Sequence, residues 1–332
     1  MRSIAFALSL TLAPLHAQAD MIDDILNQQI LPGMDELAFT SDLLAEAAKS
    51  DCHPDSGSLR GAYSDAFDAW ISVSHLRFGP TETNNRAFAL AFWPDSRSKI
   101  PKVLAKIIQD DAPELDQPSQ FATYSIAARG FHAMEFLLYD GGISLAGSPD
   151  TRCRLIRAIA TDINNTSHAI NFEWQDSYAA QLRTPGDRYQ TEAEVKQELY
   201  KALNTGLQVT ADMRLGRPLG TFDHPRPKRA EARRSGRSLH HVTLSLQALQ
   251  PLALALSGDD AELVEEFENG FSKALNTAAQ LDDPVFAGVA DPSSRFRVES
   301  LQQQINDLRT IADTKLGPSL GVDPGFNSLD GD

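Results

Sequence analysis

The stretch GFHAMEF, residues 130–136, places a histidine and a glutamate three residues apart in an otherwise apolar sequence. At about 100° per residue, positions i and i+3 share one face of a helix, so the imidazole of His132 and the carboxylate of Glu135 point the same way. A helix that is apolar on nearly every side is usually buried. A buried carboxylate must be paired, hydrogen-bonded or bound to a metal, so the sequence predicts a partner for Glu135.

An imidazole nitrogen and carboxylate oxygens on one helical face suit a divalent metal such as iron or zinc. Two ligands are too few for a site of useful affinity, so at least one or two further protein groups are required. Candidates are available by residue type, although spacing fixes none of them: Asp68, Glu82, Asp95, His168 and Glu173. The structural alternative is a buried hydrogen bond between His132 and Glu135, closed by an arginine, that fixes how two parts of the fold dock.

Peptidase chemistry is a second alternative, but the residues needed for a zinc peptidase are not present in the expected pattern. A helix of the H-E-x-x-H type brings two histidines to a zinc ion and a glutamate that acts as the base. This pattern is missing from the helix that carries His132 and Glu135. If Glu135 is a ligand, no second carboxylate is obvious to activate water.

Helical periodicity dominates the chain, and strand-like alternation is almost absent. Apolar residues at three- and four-residue spacing predict helices over 21–50, 58–78, 98–110, 120–140, 150–183, 190–215, 237–257, 260–281 and 295–315. Segments rich in glycine and proline separate them. The fold class predicted is therefore all-α, with two packed helical bundles.

The segment from Gly216 to Pro227 is the most natural divide between the bundles because glycine and proline are concentrated there. We expect an N-terminal bundle over 20–216, which carries the His132 helix, and a C-terminal bundle over 217–332. The helix at 190–215 could belong to either.

Residues 1–19 have the features of a cleaved secretory signal: one arginine, a short apolar run and Ala17-Gln18-Ala19 at the cut. No later stretch is long and apolar enough to span a membrane, so no transmembrane segment is expected in the mature chain. Removing Arg2 with the signal changes the formal net charge from −15 to −16. An acidic chain of this kind argues against nucleic acid as a partner.

Cys52 and Cys153 are the two cysteines of the chain. An exported protein with an even number of cysteines usually oxidises them, so we expect one disulfide bond. Two separate buried thiols are the alternative.

The sequence resembles the imelysin family, whose members are also called insulin-cleaving metallopeptidase-like proteins. Gly130, His132 and Glu135 match its G-x-H-x-x-E signature. Further stretches are similar to it as well: AWISVSHLRFGP (69–80), FWPDSRSK (92–99), RPLGTFDHPRPKRAEARRSGRSL (217–239) and GFNSLDGD (325–332). The resemblance implies an exported, periplasmic bacterial protein of two helical bundles, with the signature helix near their junction and a role in metal acquisition, mainly of iron.

The segment from Arg226 to Arg237 holds six of the chain's 30 basic residues. We expect either a solvated charge run or a functional loop in which Arg237 and Ser238 open a helix and point at an anion or at Glu135. Asp95 and Arg97 are possible cleft-lining residues because their stretch is similar to a family motif.

The leading hypothesis is a binding protein that holds a metal ion or metal complex through His132 and Glu135, with an envelope transporter as a possible partner. A zinc-type metallopeptidase that uses the same pair is one alternative. A non-catalytic envelope interaction protein, whose polar network only docks the two halves, is the other.

Overall fold

The computed structural model describes residues 16–322, and within this range the chain forms helices and turns but no strand. The helices are α1 (His16–Ile25), α2 (Leu31–Ser50), α3 (Gly57–Val73), α4 (Arg86–Leu90), α5 (Lys99–Asp110), α6 (Pro118–Phe121), α7 (Gly130–Tyr139), α8 (Pro149–Glu173), α9 (Ala179–Arg183), α10 (Glu192–Gln208), α11 (Gly216–Leu219), α12 (Ser238–Ser257), α13 (Ala261–Ala279), α14 (Pro292–Ile311) and α15 (Gly317–Leu320). The predicted all-α class is confirmed. The predicted signal peptide lies outside the described residues except for residues 16–19, which begin α1, and the segment 325–332 lies outside them entirely.

The first bundle is built around α2 and α8, which pack along each other, with α3 against α2 and α7 against α8. Ser56 and Ser148 cap the starts of α3 and α8, because each side chain accepts a hydrogen bond from an N–H group in the first turn. The core between the helices is aromatic: the rings of Phe67 and Phe131 stack with their centroids 4.7 Å apart.

The second bundle consists of α10, α12, α13 and α14. Asp260 and Asp291 cap α13 and α14 in the same way as the serines of the first bundle. α10 packs on α12 and α14, and the π-helical turn Val209–Leu215 continues it along α14. The helix over 190–215 therefore packs with the C-terminal elements, and the division of domains at residue 216 stays a prediction. The bundles meet where α12 packs on α3 and α1.

The continuous helix predicted over 120–140 is wrong. The structure breaks it into α6, a 3₁₀ turn at Ile126–Ala128 and α7. Arg129 is extended, with φ −115° and ψ 163°, and Gly130 has φ +71°, which residues with a side chain rarely adopt. A Cβ at Gly130 would lie 2.2 Å from the carbonyl oxygen of Leu90, so the glycine lets the start of α7 pack directly on the end of α4.

The predicted disulfide is confirmed. Cys52, just after α2, is bonded to Cys153 in α8, with the two Cα atoms 5.1 Å apart. The bond therefore ties together the ends of the two helices that organise the first bundle. No helix within the described residues has both the length and the apolar character needed to cross a bilayer.

We expect replacement of both Cys52 and Cys153 by alanine to lower the free energy of unfolding by about 4 kcal/mol, because the bond closes a long loop in the unfolded chain. The two cysteines are 101 residues apart in sequence. Denaturant unfolding of the oxidised protein and of the double variant measures the difference. An unchanged free energy of unfolding would contradict the prediction.

Candidate functional site

The signature residues of α7 are buried at the junction of the two bundles. His132 is 3% exposed and Glu135 is 2% exposed. Phe67 of α3 lies edge-on to the imidazole of His132, and Trp93, in the segment between α4 and α5, lies nearly parallel to it. The helix therefore places His132 among aromatic rings, and both polar side chains are buried, as the sequence pattern predicts.

Glu135 is held by the segment 226–237, which we call the arginine loop. One carboxylate oxygen, Oε1, accepts hydrogen bonds from the backbone N–H groups of Arg234 and Ser235, both at 3.0 Å, and from the Ser235 hydroxyl at 2.9 Å. Hydrogen bonds of this kind to a carboxylate are stronger than those to a neutral acceptor. These three hydrogen bonds compensate the burial of the Glu135 carboxylate. They also hold the arginine loop against α7.

His132 retains an unused nitrogen. Its Nε2 atom lies 3.9 Å from Oε1 of Glu231, which is too far for a hydrogen bond, and it has no hydrogen-bond partner among the described residues. Burial lowers the pKa of His132, although the carboxylates of Glu231 and Glu135 oppose this effect. The imidazole is therefore uncharged near neutral pH and offers a nitrogen lone pair or an N–H group.

Glu231 is the centre of a second buried network. It is 5% exposed, and its Oε2 accepts hydrogen bonds from Nε of Arg214 at 2.8 Å and from Nδ1 of His241 at 3.2 Å. Burial works against ionisation of Glu231, but the Arg214 guanidinium and the bond from His241 hold its pKa well below the usual range. These residues come from the π-helical turn after α10, the arginine loop and α12, so the network ties the loop to the second bundle.

The arginine loop, α11, the segment 93–101 and the middle of α7 line a cavity of about 350 Å³ that contains His132 and Glu135 in its wall. We call it the basic cavity, because five basic residues line it: Arg217, Lys228, Arg229, Arg233 and Arg234. The Arg234 guanidinium lies 3.5 Å from the centroid of Phe136 and its Nε donates to Asp140 at 2.9 Å, so this charge is paired.

The other four cations of the basic cavity form no ion pair with any carboxylate of the described residues: Arg217, Lys228, Arg229 and Arg233. Burial lowers the pKa of Arg217 and of Arg233, and a neighbouring arginine adds to the effect in each case, whereas the carboxylates of Glu135 and Asp140 raise the pKa of Arg233. Both guanidiniums are partly buried, whereas Lys228 and Arg229 are exposed. The carboxylates of Glu135 and Asp95 also line the cavity, so the five cations outnumber the acids and the cavity carries an excess of positive charge.

The predicted cleft residues divide between the cavity and its surroundings. Asp95 lines the basic cavity, but its carboxylate accepts hydrogen bonds from the N–H groups of Lys99 and Ile100, both at 2.8 Å, and so caps α5. Arg97 is exposed and does not line the cavity.

Arg237 and Ser238 do not contact Glu135. The Arg237 guanidinium donates to the carboxylate of Asp68, which also accepts from His240 at 2.8 Å. The hydroxyl of Ser238 donates to the backbone carbonyl of Glu231. The donors that reach Glu135 come instead from the backbone two and three residues before Arg237.

The five residues proposed as further metal ligands lie in other interactions or away from His132. Glu82 pairs with Arg77, Glu173 with Arg86, and His168 is exposed beside Asp42. Within residues 16–322, no group of three or more histidine, cysteine, aspartate or glutamate side chains is arranged to hold a metal ion. The arrangement is thus one imidazole facing a basic cavity, not a ready-made set of ligands for a bare cation.

Sequence reasoning missed Glu231, Arg214 and His241. One signal was available for the first of these: Glu231 is the single acidic residue among the six basic residues of the segment 226–237. His240 and His241 are adjacent on α12, and adjacent residues on a helix diverge by about 100°. That divergence is observed, since His240 is exposed and His241 is fully buried.

The family model described as Imelysin matches residues 30–312. An imelysin-like protein from Psychrobacter arcticum 273-4 has a similar structure, with a TM-score of 0.76 and 18% identity, over 95% of this chain and 98% of that one. A putative iron-regulated protein A precursor from Parabacteroides distasonis ATCC 8503 is also similar, with a TM-score of 0.73 and 12% identity, over 93% and 96% of the two chains. No curated protein matches the sequence.

Replacing Glu231 by glutamine should lower the free energy of unfolding by about 3–5 kcal/mol, because the variant leaves the buried Arg214 without a counter-charge. Denaturant unfolding of the full chain measures the change. Asp110→Asn is the matched control: it breaks the exposed ion pair with Lys106, and the expected loss is below about 1 kcal/mol. Equal losses in the two variants would contradict a central role for Glu231.

The stability of the protein should decrease as the pH falls below about 6.5, the usual pKa of histidine. Burial lowers the pKa of His241 in the folded protein. Below about pH 6.5 the unfolded chain is therefore protonated at His241 while the folded chain is not, and this difference favours unfolding. His241→Gln removes this difference, and its plot of unfolding free energy against pH should be flatter below that value. Parallel curves for wild type and His241→Gln would refute the assignment.

Proposed function

The chain belongs to the imelysin family, and we propose that it is an exported protein that binds an anionic metal complex in the basic cavity at the bundle junction. The proposal refines the prediction of a metal or metal complex held at His132 and Glu135. In this proposal the metal is bound as a preformed complex, in which most of its ligands come from the bound molecule and not from the protein.

The observation that carries the proposal is the set of four cations without a carboxylate partner around His132. A bare divalent cation would be repelled by these charges, and the carboxylate of Glu135 already accepts three hydrogen bonds. An anionic ligand would compensate the charges instead. Arginine suits this purpose, because its planar group binds carboxylate or phosphate through two parallel hydrogen bonds.

His132 gives the cavity a possible contact with the metal itself. Its uncharged imidazole lies in the cavity wall, and Nε2 has no partner among the described residues. Imidazole nitrogen is a good ligand for both iron and zinc, so this residue fits a complex of either metal that retains an open position. Glu135 acts in this proposal through the arginine loop, which it fixes in place.

Iron is the metal that we favour, because the similar protein from Parabacteroides distasonis is described as iron-regulated. Export to the periplasm is supported by the signal-like residues 1–19 and by the disulfide bond, since such bonds persist in oxidising compartments. Delivery of the complex to an envelope transporter completes the proposal.

Peptidase activity is not favoured by this geometry. A zinc peptidase needs several metal ligands and a carboxylate base that is free to take a proton from water. Within residues 16–322 no group of three or more such ligands is arranged to hold a metal, Oε1 of Glu135 is bound to the loop, and Oε2 of Glu231 is bound to Arg214 and His241.

Ferric citrate is a suitable probe because it is an anionic carboxylate complex of iron. Titration calorimetry should detect its binding to the wild-type protein. The double variant Arg217→Gln/Arg233→Gln should bind about ten- to a hundredfold more weakly, since each substitution replaces a hydrogen bond from a charged donor, roughly 1.5–3 kcal/mol, with one from a neutral amide, about 0.5–1.5 kcal/mol. Arg226→Gln, an exposed change in the same loop but outside the cavity, should bind as the wild type does.

Two results would overturn the proposal. One is equal binding of ferric citrate by the double variant and the wild type. The other is tight binding of iron or zinc without citrate that His132→Ala abolishes and the double variant retains, because that would identify a bare-cation site. Thermal unfolding of each variant checks that the fold is intact.

A further inference from the structure

A second cavity lies on the other side of Trp93 from the basic cavity. Its volume is about 480 Å³, and Trp93 is the one residue that lines both. We call it the aromatic cavity, because Trp70 of α3, Phe88 of α4 and Trp93 form its walls together with Leu249 of α12. Small-molecule sites in proteins have volumes of roughly 300–1,000 Å³ and mostly apolar walls with a few polar groups. The aromatic cavity has both properties.

The charged groups of the aromatic cavity are paired with each other. At one wall the buried Arg214 donates to Glu231 at 2.8 Å. At another, Arg77 forms an ion pair with Glu82, and its guanidinium lies 5.0 Å from the centroid of the Phe88 ring. The aromatic cavity therefore has no unpaired cation, in contrast to the basic cavity.

His75 supplies an unused polar group in the aromatic cavity. Its ring forms no hydrogen bond with any described residue, although it lines the cavity beside Thr205. Burial and the nearby charge of Arg214 lower the pKa of His75 to about 4, so the ring is neutral near pH 7. A neutral imidazole can donate one hydrogen bond and accept one.

We propose that the aromatic cavity binds an uncharged aromatic small molecule, which packs between Trp70, Phe88 and Trp93 and forms one hydrogen bond with His75. The charged side chains in the walls are paired with each other, so the cavity disfavours a charged ligand. Such a ligand would lose its hydration there without gaining a counter-charge. The three aromatic side chains select a flat ring system. This site is independent of the function proposed for the basic cavity.

The neutral fluorophore N-phenyl-1-naphthylamine tests the proposal, because its emission increases in a dry apolar site. Titration into the full chain should give saturable binding of one molecule. Val209→Trp places a large side chain in the aromatic cavity and should weaken binding at least tenfold. Linear, unsaturable emission would overturn the proposal.

The neighbouring cavity of about 290 Å³ provides an internal check, since it shares His75 but is not lined by Val209. Unchanged binding by Val209→Trp would therefore assign the probe to another site and overturn the proposal. If that variant does not fold, Ala91→Leu is a smaller filling change in the same wall. The single variant Arg233→Gln, which keeps the Arg217 guanidinium 5.6 Å from the centroid of the Trp93 ring, should bind the fluorophore as the wild type does, so weakened ferric citrate binding and loss of fluorophore binding are separate outcomes.

Competition tests the charge preference. 1-Naphthol, which is neutral near pH 7, should displace the fluorophore at a concentration at least tenfold lower than either 1-naphthoate or 1-naphthylmethylammonium. Equal displacement by one of the charged compounds would overturn the proposed selectivity for uncharged ligands.

Discussion

The buried carboxylate of Glu231 is the constraint on which the junction depends. An ion at 5% exposure is stable only if the surrounding structure supplies both charge and hydrogen bonds, and here Arg214 and His241 supply them. Removing one partner would leave the other buried and uncompensated. The turn after α10, the arginine loop and α12 are therefore held in one arrangement, and that arrangement sets the walls of both cavities.

Glu135 imposes a second constraint of the same kind from the first bundle. Its carboxylate binds the backbone and the Ser235 hydroxyl of the arginine loop, not its guanidinium groups, so the side chains of Lys228, Arg229 and Arg233 are left for the cavity, which Arg217 of α11 also lines. Glu135 thus holds the loop on the first bundle, and Glu231 of the loop holds it on the second.

Local patterns predicted much of this protein. Apolar periodicity gave most helix positions, and the spacing of His132 and Glu135 predicted their burial on one face. The helix over 120–140 was wrong because Gly130 has a left-handed conformation that periodicity does not reveal. One interpretation of the arginine loop points Arg237 and Ser238 at an anion or at Glu135, but Asp68 holds the Arg237 guanidinium. Such pairings depend on how distant helices meet, and one sequence contains no local signal for them.

The distance along the chain between Glu135 and its partners has a kinetic consequence. Ser235 lies 100 residues after Glu135, so closing this contact requires a long chain segment to be ordered first. A polypeptide that emerges from its N-terminus forms α7 well before α12 exists. Until the arginine loop has been synthesised, Glu135 lacks all the hydrogen-bond donors that it has in the folded protein. Burial of α7 among apolar side chains would then cost the desolvation of an unpaired carboxylate. Completion of the junction is therefore a late event in the biogenesis of the protein.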